Sequence, residues 1–146
     1  MKDSVEKIID QGSLIAIIVR SYHYHEGIEF FTPNEFSQQL AYMSHSTGKV
    51  ISPHVHNPVS RHVSYTQETL LIRKGKLRVD FYNRQKQYLE SRVLEAGDVM
   101  LLITGGHGFE VLEDVEMIEV KQGPYFGDQD KTRFEGISSE TVSLRN

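Results

Sequence analysis

The segment PHVHNPVSRHVSYTQE, residues 53–68, contains three imidazoles, at His54, His56 and His62, and one carboxylate, Glu68, all side chains of the types that bind metals. His54 and His56 stand two apart, and side chains alternate sides along an extended strand, so both rings would point to one face. Glu68 opens the next apolar run, and His107 follows a further run, DVMLLITGG. Three imidazoles and one carboxylate would suit a divalent transition metal and leave positions open for water or substrate.

Short apolar runs, broken by turn residues, must position these side chains. Turn sequences such as Lys74-Gly75 and Ala96-Gly97-Asp98 separate runs of strand length. This pattern predicts an all-β fold, either a sandwich or a barrel. The runs cover residues 14–20, 39–44, 49–55, 69–74, 76–82, 88–94, 98–103 and 115–121.

Helix is expected in two short places. Residues 3–10 carry apolar side chains at helical spacing, which predicts a short helix there. At TPNE, residues 32–35, a threonine cap is followed by a proline at the first helical position and a glutamate three residues after the cap. That order predicts one helical turn.

Composition argues against several classes of function. The chain has 146 residues, a formal net charge of −4 and no cysteine. We therefore expect one domain, no disulfide, no thiolate metal site and no cysteine nucleophile. The negative charge and the lack of a Lys/Arg run argue against nucleic acid or an anionic membrane as a partner. No signal peptide or membrane-spanning stretch is visible, so a cytoplasmic location is expected.

Two motifs resemble those of the cupin superfamily. The frame G-x5-H-x-H at residues 48–56, with E-x6-G at residues 68–75, resembles the first motif, and residues 97–107 resemble the second. The gap between His56 and Glu68 is longer than in the family motif, and the second motif lacks its proline. The resemblance implies one divalent ion (Fe, Mn, Ni, Co, Cu or Zn), with His54, His56, Glu68 and His107 as its ligands.

The same resemblance implies a single cupin domain over residues 1–146, an all-β double-stranded β-helix or jelly-roll barrel with little helix. Its core would cover about residues 36–122, and strands within residues 12–31 would extend one sheet. The serine-rich polar tail, about residues 135–146, is expected to be loose. Small barrels of this kind often pair through edge strands, and the apolar run LIAIIVR, residues 14–20, would need covering, so we expect a homodimer.

The long gap, residues 57–67, would form a loop at the barrel mouth. Arg61 would suit a substrate carboxylate or phosphate through its rigid fork of donors, with Tyr65 and Gln67 orienting the substrate beside it. We expect a metal-dependent enzyme for a small polar molecule, an oxygenase, isomerase or lyase. A more distant similarity to small cupins found among bacterial surface-polysaccharide genes, in residues 67–82 and 116–128, implies a sugar-related substrate.

Two other functions stay open. One is a metal-free isomerase or epimerase of nucleotide-activated sugars, with a histidine as its base. The other is a non-catalytic domain that binds a small molecule. The competing interpretation of the four predicted ligands is a set of hydrogen-bonded polar residues without a metal. A second H-x-H, His23 and His25 in YHYHE, is typical of a solvated hairpin.

Overall fold

Eight antiparallel strands and two short 3₁₀ helices make up the regular structure of residues 2–145, the part of the chain that this computed structural model describes. The all-β class predicted from the sequence is confirmed. Among these residues, no helix is both long enough and apolar enough to cross a bilayer. The strands are β1 Val5–Asp10, β2 Ser13–Val19, β3 Gly27–Phe30, β4 Ala41–Ser44, β5 Glu68–Tyr82, β6 Tyr88–Glu95, β7 Val99–Leu102 and β8 Gly106–Lys121, and the 3₁₀ helices are Gly127–Asp130 and Ser139–Thr141.

The long strand β5 organises a six-stranded sheet with the order β1-β2-β7-β5-β6. β7 pairs with residues 68–71 of β5 and β6 pairs with residues 76–82, so these two strands share one edge of β5. β8 pairs along nearly the whole of the other edge. β3 and β4 form a separate two-stranded hairpin.

The ribbon of β5 and β8 curls into a half-barrel. Phe81 follows Glu68 by 13 residues, which in a straight strand would separate them by roughly 43 Å. Yet His107, which lies opposite Phe81, comes within 3.9 Å of Glu68. The bend falls where the register shifts three times around Gly75, whose φ is +86°. Bulges with a glycine at positive φ bend a strand in this way.

The curl folds the two halves of the sheet over one core. β2 has a neighbouring strand on each edge and is buried on both faces. Both sets of its alternating side chains are therefore apolar, which explains the continuous apolar run in SLIAIIV. One face joins the main core with β5, β6 and β7, and the other contacts a smaller cluster that includes Phe31, Phe36 and Leu40. Since β1 covers one edge of β2, the run LIAIIVR does not supply the unpaired edge expected from the sequence.

Four local predictions differ from the structure. Residues 5–10 form β1 rather than a helix, because their backbone pairs with β2 around a bulge between Ile8 and Ile9. Residues 32–35 form a turn, with Phe36 N donating to Pro33 O over 3.2 Å, and not a helical turn. Residues 49–55 lie in an unpaired segment instead of a strand.

The fourth difference concerns the tail. Ser91 N donates to Ser143 O over 2.8 Å, and Arg145 N donates to Ser91 O over 2.9 Å. Tyr88 adds a hydroxyl that accepts from Ser143 N over 2.8 Å. The described part of the tail therefore lies against β6 instead of being loose.

Candidate functional site

A pocket of about 630 Å³ lies where β7 turns into β8. Its lining side chains come from four parts of the chain, within residues 64–68, 82–86, 105–108 and 121–136. The first part leads into β5 and ends at its first residue, Glu68, and the third is the start of β8; the curl of the sheet brings the two together. The other two are the turn after β5 and the segment after β8.

Glu68 and His107 face each other in this pocket, with Oε1 and Nε2 3.9 Å apart. The sheet fixes both, because Leu102 of β7 lies opposite Glu68 and His107 is only five residues further on. The intervening turn needs Gly105, whose φ is +78° and where a Cβ would lie 2.3 Å from the carbonyl oxygen of Tyr82. Only glycine fits such a position without strain.

Burial sets the protonation of the pair. Burial, and then a hydrogen bond with Glu119, raise the pKa of Glu68 to about 7. The same hydrogen bond lowers the pKa of Glu119, so Glu119 stays ionised and Glu68 holds the proton. Burial lowers the pKa of His107. Near neutral pH the pocket therefore holds a neutral imidazole beside a carboxyl group that is close to half protonated.

Around this pair the pocket is cationic. Five lysine or arginine side chains line it against two acidic ones, Glu68 and Asp130, in a chain whose formal net charge is −4. A cleft lined by one sign of charge concentrates ligands of the opposite sign, so the pocket favours an anion. The cationic side chains are Arg84, Lys86, Lys121, Lys131 and Arg133.

Aromatic side chains form part of the wall. The guanidinium of Arg84 lies over the ring of Tyr65, 4.7 Å from its centroid. The rings of Tyr82 and Phe134 meet edge to face with centroids 5.0 Å apart. Flat aromatic surface of this kind packs against a sugar ring or a base.

The four predicted metal ligands stand as two pairs. Glu68 and His107 are together, as above. The rings of His54 and His56 are also neighbours, with centroids 5.1 Å apart, but both lie on an exposed segment and His54 Nδ1 contacts only the carbonyl oxygen of Ser52, at 3.0 Å. In the stretch from residue 2 to residue 145, no three His, Cys, Asp or Glu side chains are grouped so as to hold an ion. The metal site stays a prediction.

The three predicted substrate-orienting residues have separate places. Tyr65 lines the pocket. Gln67 is buried outside it, where its side-chain oxygen accepts from Gln38 N over 3.0 Å, so it holds the chain in place. Arg61 is exposed, with only a 3.4 Å contact to the carbonyl oxygen of Val59.

His23 differs from the solvated residue expected for the second H-x-H. Its side chain is only 9% exposed. Nδ1 contacts Ser4 Oγ at 2.8 Å and Nε2 contacts Glu29 at 2.9 Å, while the rings of Phe31 and Tyr42 pack against it edge to face. His23 therefore joins Ser4, just before β1, to β3 and β4 as a structural residue.

Comparison of the chain with models of protein families, with curated proteins and with solved structures found no match in any of the three. What the pocket can do chemically follows from its own side chains. It holds a proton donor and a proton acceptor side by side, and it surrounds them with cations and aromatic rings.

Sequence reasoning missed the part of the site that follows β8. Lys121, Lys131, Arg133 and Phe134 all line the pocket. The mixture of basic and aromatic residues in KTRF, residues 131–134, was the available signal. It was hidden because this stretch has no strand pattern, and contacts with distant residues bring it to the pocket. Phe134 packs on Tyr82, and Thr66 Oγ1 donates to Asp130 Oδ1 over 2.8 Å.

Proposed function

We propose that the chain is an enzyme that moves a proton on a small anionic, sugar-type substrate, as an isomerase or epimerase does. The observation that supports this is the Glu68–His107 pair, 3.9 Å apart, inside a pocket lined by five cationic side chains. The pair offers an acid and a base within reach of one bound molecule.

The chemistry needs no redox partner. Neutral His107 takes a proton from a hydroxyl-bearing carbon beside a carbonyl group. The electron pair of that C–H bond forms a C=C bond, and the π pair of the carbonyl moves onto its oxygen. Protonated Glu68 donates its proton to that oxygen, which gives an enediol. Return of the proton from His107 to the former carbonyl carbon, while Glu68 takes the proton of the other hydroxyl, gives an isomer. Return of a proton to the opposite face of the first carbon, while Glu68 takes back the proton that it gave, yields an epimer. In both cases the pair ends as it began, with no proton gained or lost.

The cationic side chains would bind the phosphate of such a substrate. Lys121 and Lys131 lie close enough to Glu68 to act on its pKa, and Arg133 lines the same pocket. A volume of about 630 Å³ is within the range of pockets that enclose a ligand of this size. We therefore take a sugar phosphate or a nucleotide-activated sugar as the substrate class.

A cupin jelly roll is the fold family that we propose. Its support is the curled antiparallel sheet, together with the motif glycines. Gly48, Gly75 and Gly97 all have positive φ, at +91°, +86° and +90°. These glycines are therefore placed at positions where the backbone requires them.

Binding is tested first. We expect thermal-shift and calorimetric screens with inorganic pyrophosphate and a panel of nucleotide-activated sugars to find a ligand whose affinity falls at least about tenfold in Lys131→Ala/Arg133→Ala, because two charge-assisted contacts are lost. The matched control is Lys7→Ala/Arg73→Ala, which removes two exposed cations outside the pocket. Equal affinity in both double variants would contradict the assignment of the anion site.

Proton transfer is tested next. With a ligand that binds, proton NMR in D2O is expected to show deuterium entering one carbon of the substrate. His107→Gln and Glu68→Gln should each slow this exchange by about 100-fold or more while affinity changes only a few-fold. His45→Gln, at an exposed histidine outside this pocket, serves as the control. Binding without exchange would instead support a non-catalytic binding domain.

A metal-dependent enzyme is the second candidate. It is favoured by the adjacent rings of His54 and His56, on a segment that leads into the pocket residues Tyr65 and Thr66. The side chains as arranged do not form the four-ligand set, so no catalytic step is assigned to an ion. Metal content measured by mass spectrometry decides: near-stoichiometric metal that is lost in His54→Ala/His56→Ala would replace the first proposal with this one.

A further inference from the structure

Residues 45–65, here named the exposed segment, link β4 to the pocket, where Tyr65 at the end of the segment packs against Arg84. All 21 residues are exposed, and the one backbone hydrogen bond in this stretch of the described chain joins Lys49 N to Ser46 O at 3.1 Å. The segment still carries apolar side chains, and Val50 and Val55 are 78% and 83% exposed. Apolar side chains and unpaired backbone groups of this kind are typical of a strand that lacks its partner.

β8 presents the matching surface. Within residues 2–145 it pairs only with β5, so its outer edge has no partner strand. From Phe109 to Val120 every residue except Val115 is exposed. A sixteen-residue edge with exposed apolar side chains is normally covered, because its unpaired N–H and C=O groups attract another strand.

The two surfaces have opposite charge. The exposed segment contains Lys49, Arg61 and four histidines, and it has no acidic residue. β8 carries five acidic residues, all exposed, and its one lysine, Lys121, lies at its end. Complementary charges of this kind favour pairing and select the partner. The acidic residues are Glu110, Glu113, Asp114, Glu116 and Glu119.

The exposed area is large enough for a stable interface. The chain has a solvent-accessible surface of 10225 Å² at 16.8 kDa, whereas a folded monomer of that mass exposes about 7,700 Å². The excess, about 2,500 Å², is greater than the roughly 800 Å² that each partner buries in an interface of standard size, and it is typical of obligate homodimers.

Pairing of the exposed segment with a β8 edge would leave part of this excess surface uncovered. The hairpin of β3 and β4 also exposes Ile28, Phe30 and Met43, which share one face by their cross-strand register. This face continues directly into the exposed segment, because β4 ends at Ser44. A second copy supplies both an edge for the segment and further surface for the hairpin.

We infer that the exposed segment of one copy pairs with the β8 edge of a second copy, and that the exchange is reciprocal. A two-fold dimer results, in which each copy gives one strand and receives one. Reciprocal exchange covers the β8 edge of both copies, so the assembly closes at two copies through this contact. This inference is independent of the proposed catalytic function.

Charge reversal tests the pairing. Analytical ultracentrifugation of the full chain is expected to show a dimer. Lys49→Glu/Arg61→Glu and Asp114→Lys/Glu116→Lys should each weaken dimerisation at least about tenfold, and the quadruple variant should recover most of the affinity. Glu135→Lys/Glu140→Lys, which makes the same charge change as the β8 variant but on exposed tail residues, is the control. A monomeric wild type, or reversals without rescue, would overturn the inference.

Cross-linking identifies which copy contributes the strand. Because the chain has no cysteine, Val59→Cys provides a unique site for a benzophenone probe. ¹⁵N-labelled and unlabelled protein are unfolded together, refolded, irradiated and digested. We expect links from residue 59 into residues 106–121 with mixed isotopes in about half of the linked peptides. Links within one isotope only would mean that the segment covers its own β8, and links elsewhere would mean a different interface; either result overturns the inference.

Discussion

Glu68 and Glu119 lie on the same side of the β5–β8 ribbon, and a hydrogen bond between them keeps one proton in the pocket. Burial comes first among the causes that raise the pKa of Glu68 to about 7, from an ordinary value of 4.5. A buried carboxyl that stays protonated near neutrality is typical of acid–base sites. His107 beside it is held neutral by burial.

The first prediction concerns the pH dependence of stability. Since the folded-state pKa of Glu68 is raised, its contribution to the free energy of unfolding is fully present below about pH 4.5 and is lost as the pH rises through about 7. Glu68→Gln cannot ionise, so it should gain about 1–2 kcal/mol relative to wild type between pH 5 and pH 8, less than the roughly 2.5 kcal/mol that the full pKa shift would give over this range, because solvent partly screens the group. Urea unfolding at each pH measures this, with exposed Glu135→Gln as the control.

An unchanged difference between Glu68→Gln and wild type across that range would show that Glu68 is ionised throughout. The lowered pKa of His107 acts in the opposite sense, because its neutral form is lost only as the pH falls below about 6.5. That contribution is common to both proteins and cancels in the comparison.

At the scale of elements, the curl of β5 and β8 creates the site. This curl depends on a single residue, Gly75, at the bulge of β5. At φ +86°, a Cβ would lie 2.0 Å from the carbonyl oxygen of Asp114 in β8. Any side chain there would therefore push the two strands apart at their bulge.

We expect Gly75→Ala to lower the free energy of unfolding by at least about 2 kcal/mol, from backbone strain and overlap together. Gly108→Ala, on the same strand pair, has open space around its Cβ and no positive φ, so it should cost much less. Urea denaturation followed by circular dichroism compares the two. Equal losses would mean that the bulge does not require glycine.

A second element-scale feature is the buried turn after β6. Asp98, 3% exposed, accepts from Ser21 N at 2.9 Å, from Glu95 N at 2.8 Å and from Arg20 at 3.0 Å. Arg20 and Arg92 in turn both pair with Glu6 of β1. This network joins the outer strands β1 and β2 to the β6–β7 connection.

Asp98→Ala should therefore destabilise the fold by about 3 kcal/mol, because Arg20 loses a partner in a partly buried site and two backbone donors are left without an acceptor. Glu113→Ala removes the exposed ion pair with Lys76, so its expected cost is much smaller. Thermal unfolding of both variants provides the comparison. Similar losses would mean that the Asp98 network contributes no more than a surface pair.

At the scale of the whole molecule, strand exchange would make stability depend on concentration. If the folded state is a dimer, raising the protein concentration about 100-fold stabilises it by about 2.7 kcal/mol of dimer, and the unfolding midpoint should rise by about 3–5 °C. Calorimetry over that range measures the shift. Asp114→Lys/Glu116→Lys, which weakens the exchange, should flatten the dependence. A wild-type midpoint that does not move would indicate a monomer.

Local sequence patterns were sufficient to predict the all-β class and the glycine turn at Ala96-Gly97. Alternation within KLRVDFY correctly predicted a strand, but the turn predicted at Lys74-Gly75 is wrong, because residues 69–74 and 76–82 belong to one strand, β5, that bends at Gly75 instead of ending there. Residues 5–10 show the limit of that reasoning. Their spacing suits a helix, but hydrogen bonds to β2, which no local pattern encodes, make them a strand.

The candidate site shows the same division. The sequence by itself determined which side chains could do chemistry, and Glu68 and His107 were among them. Only the tertiary structure decided which of them meet, because Glu68 and His107 are 39 residues apart and their 3.9 Å approach depends on the curl of β5 against β8. His54 and His56 share a side of their segment as their spacing predicts, yet the position of that segment depends on contacts between distant parts of the chain or with a second copy.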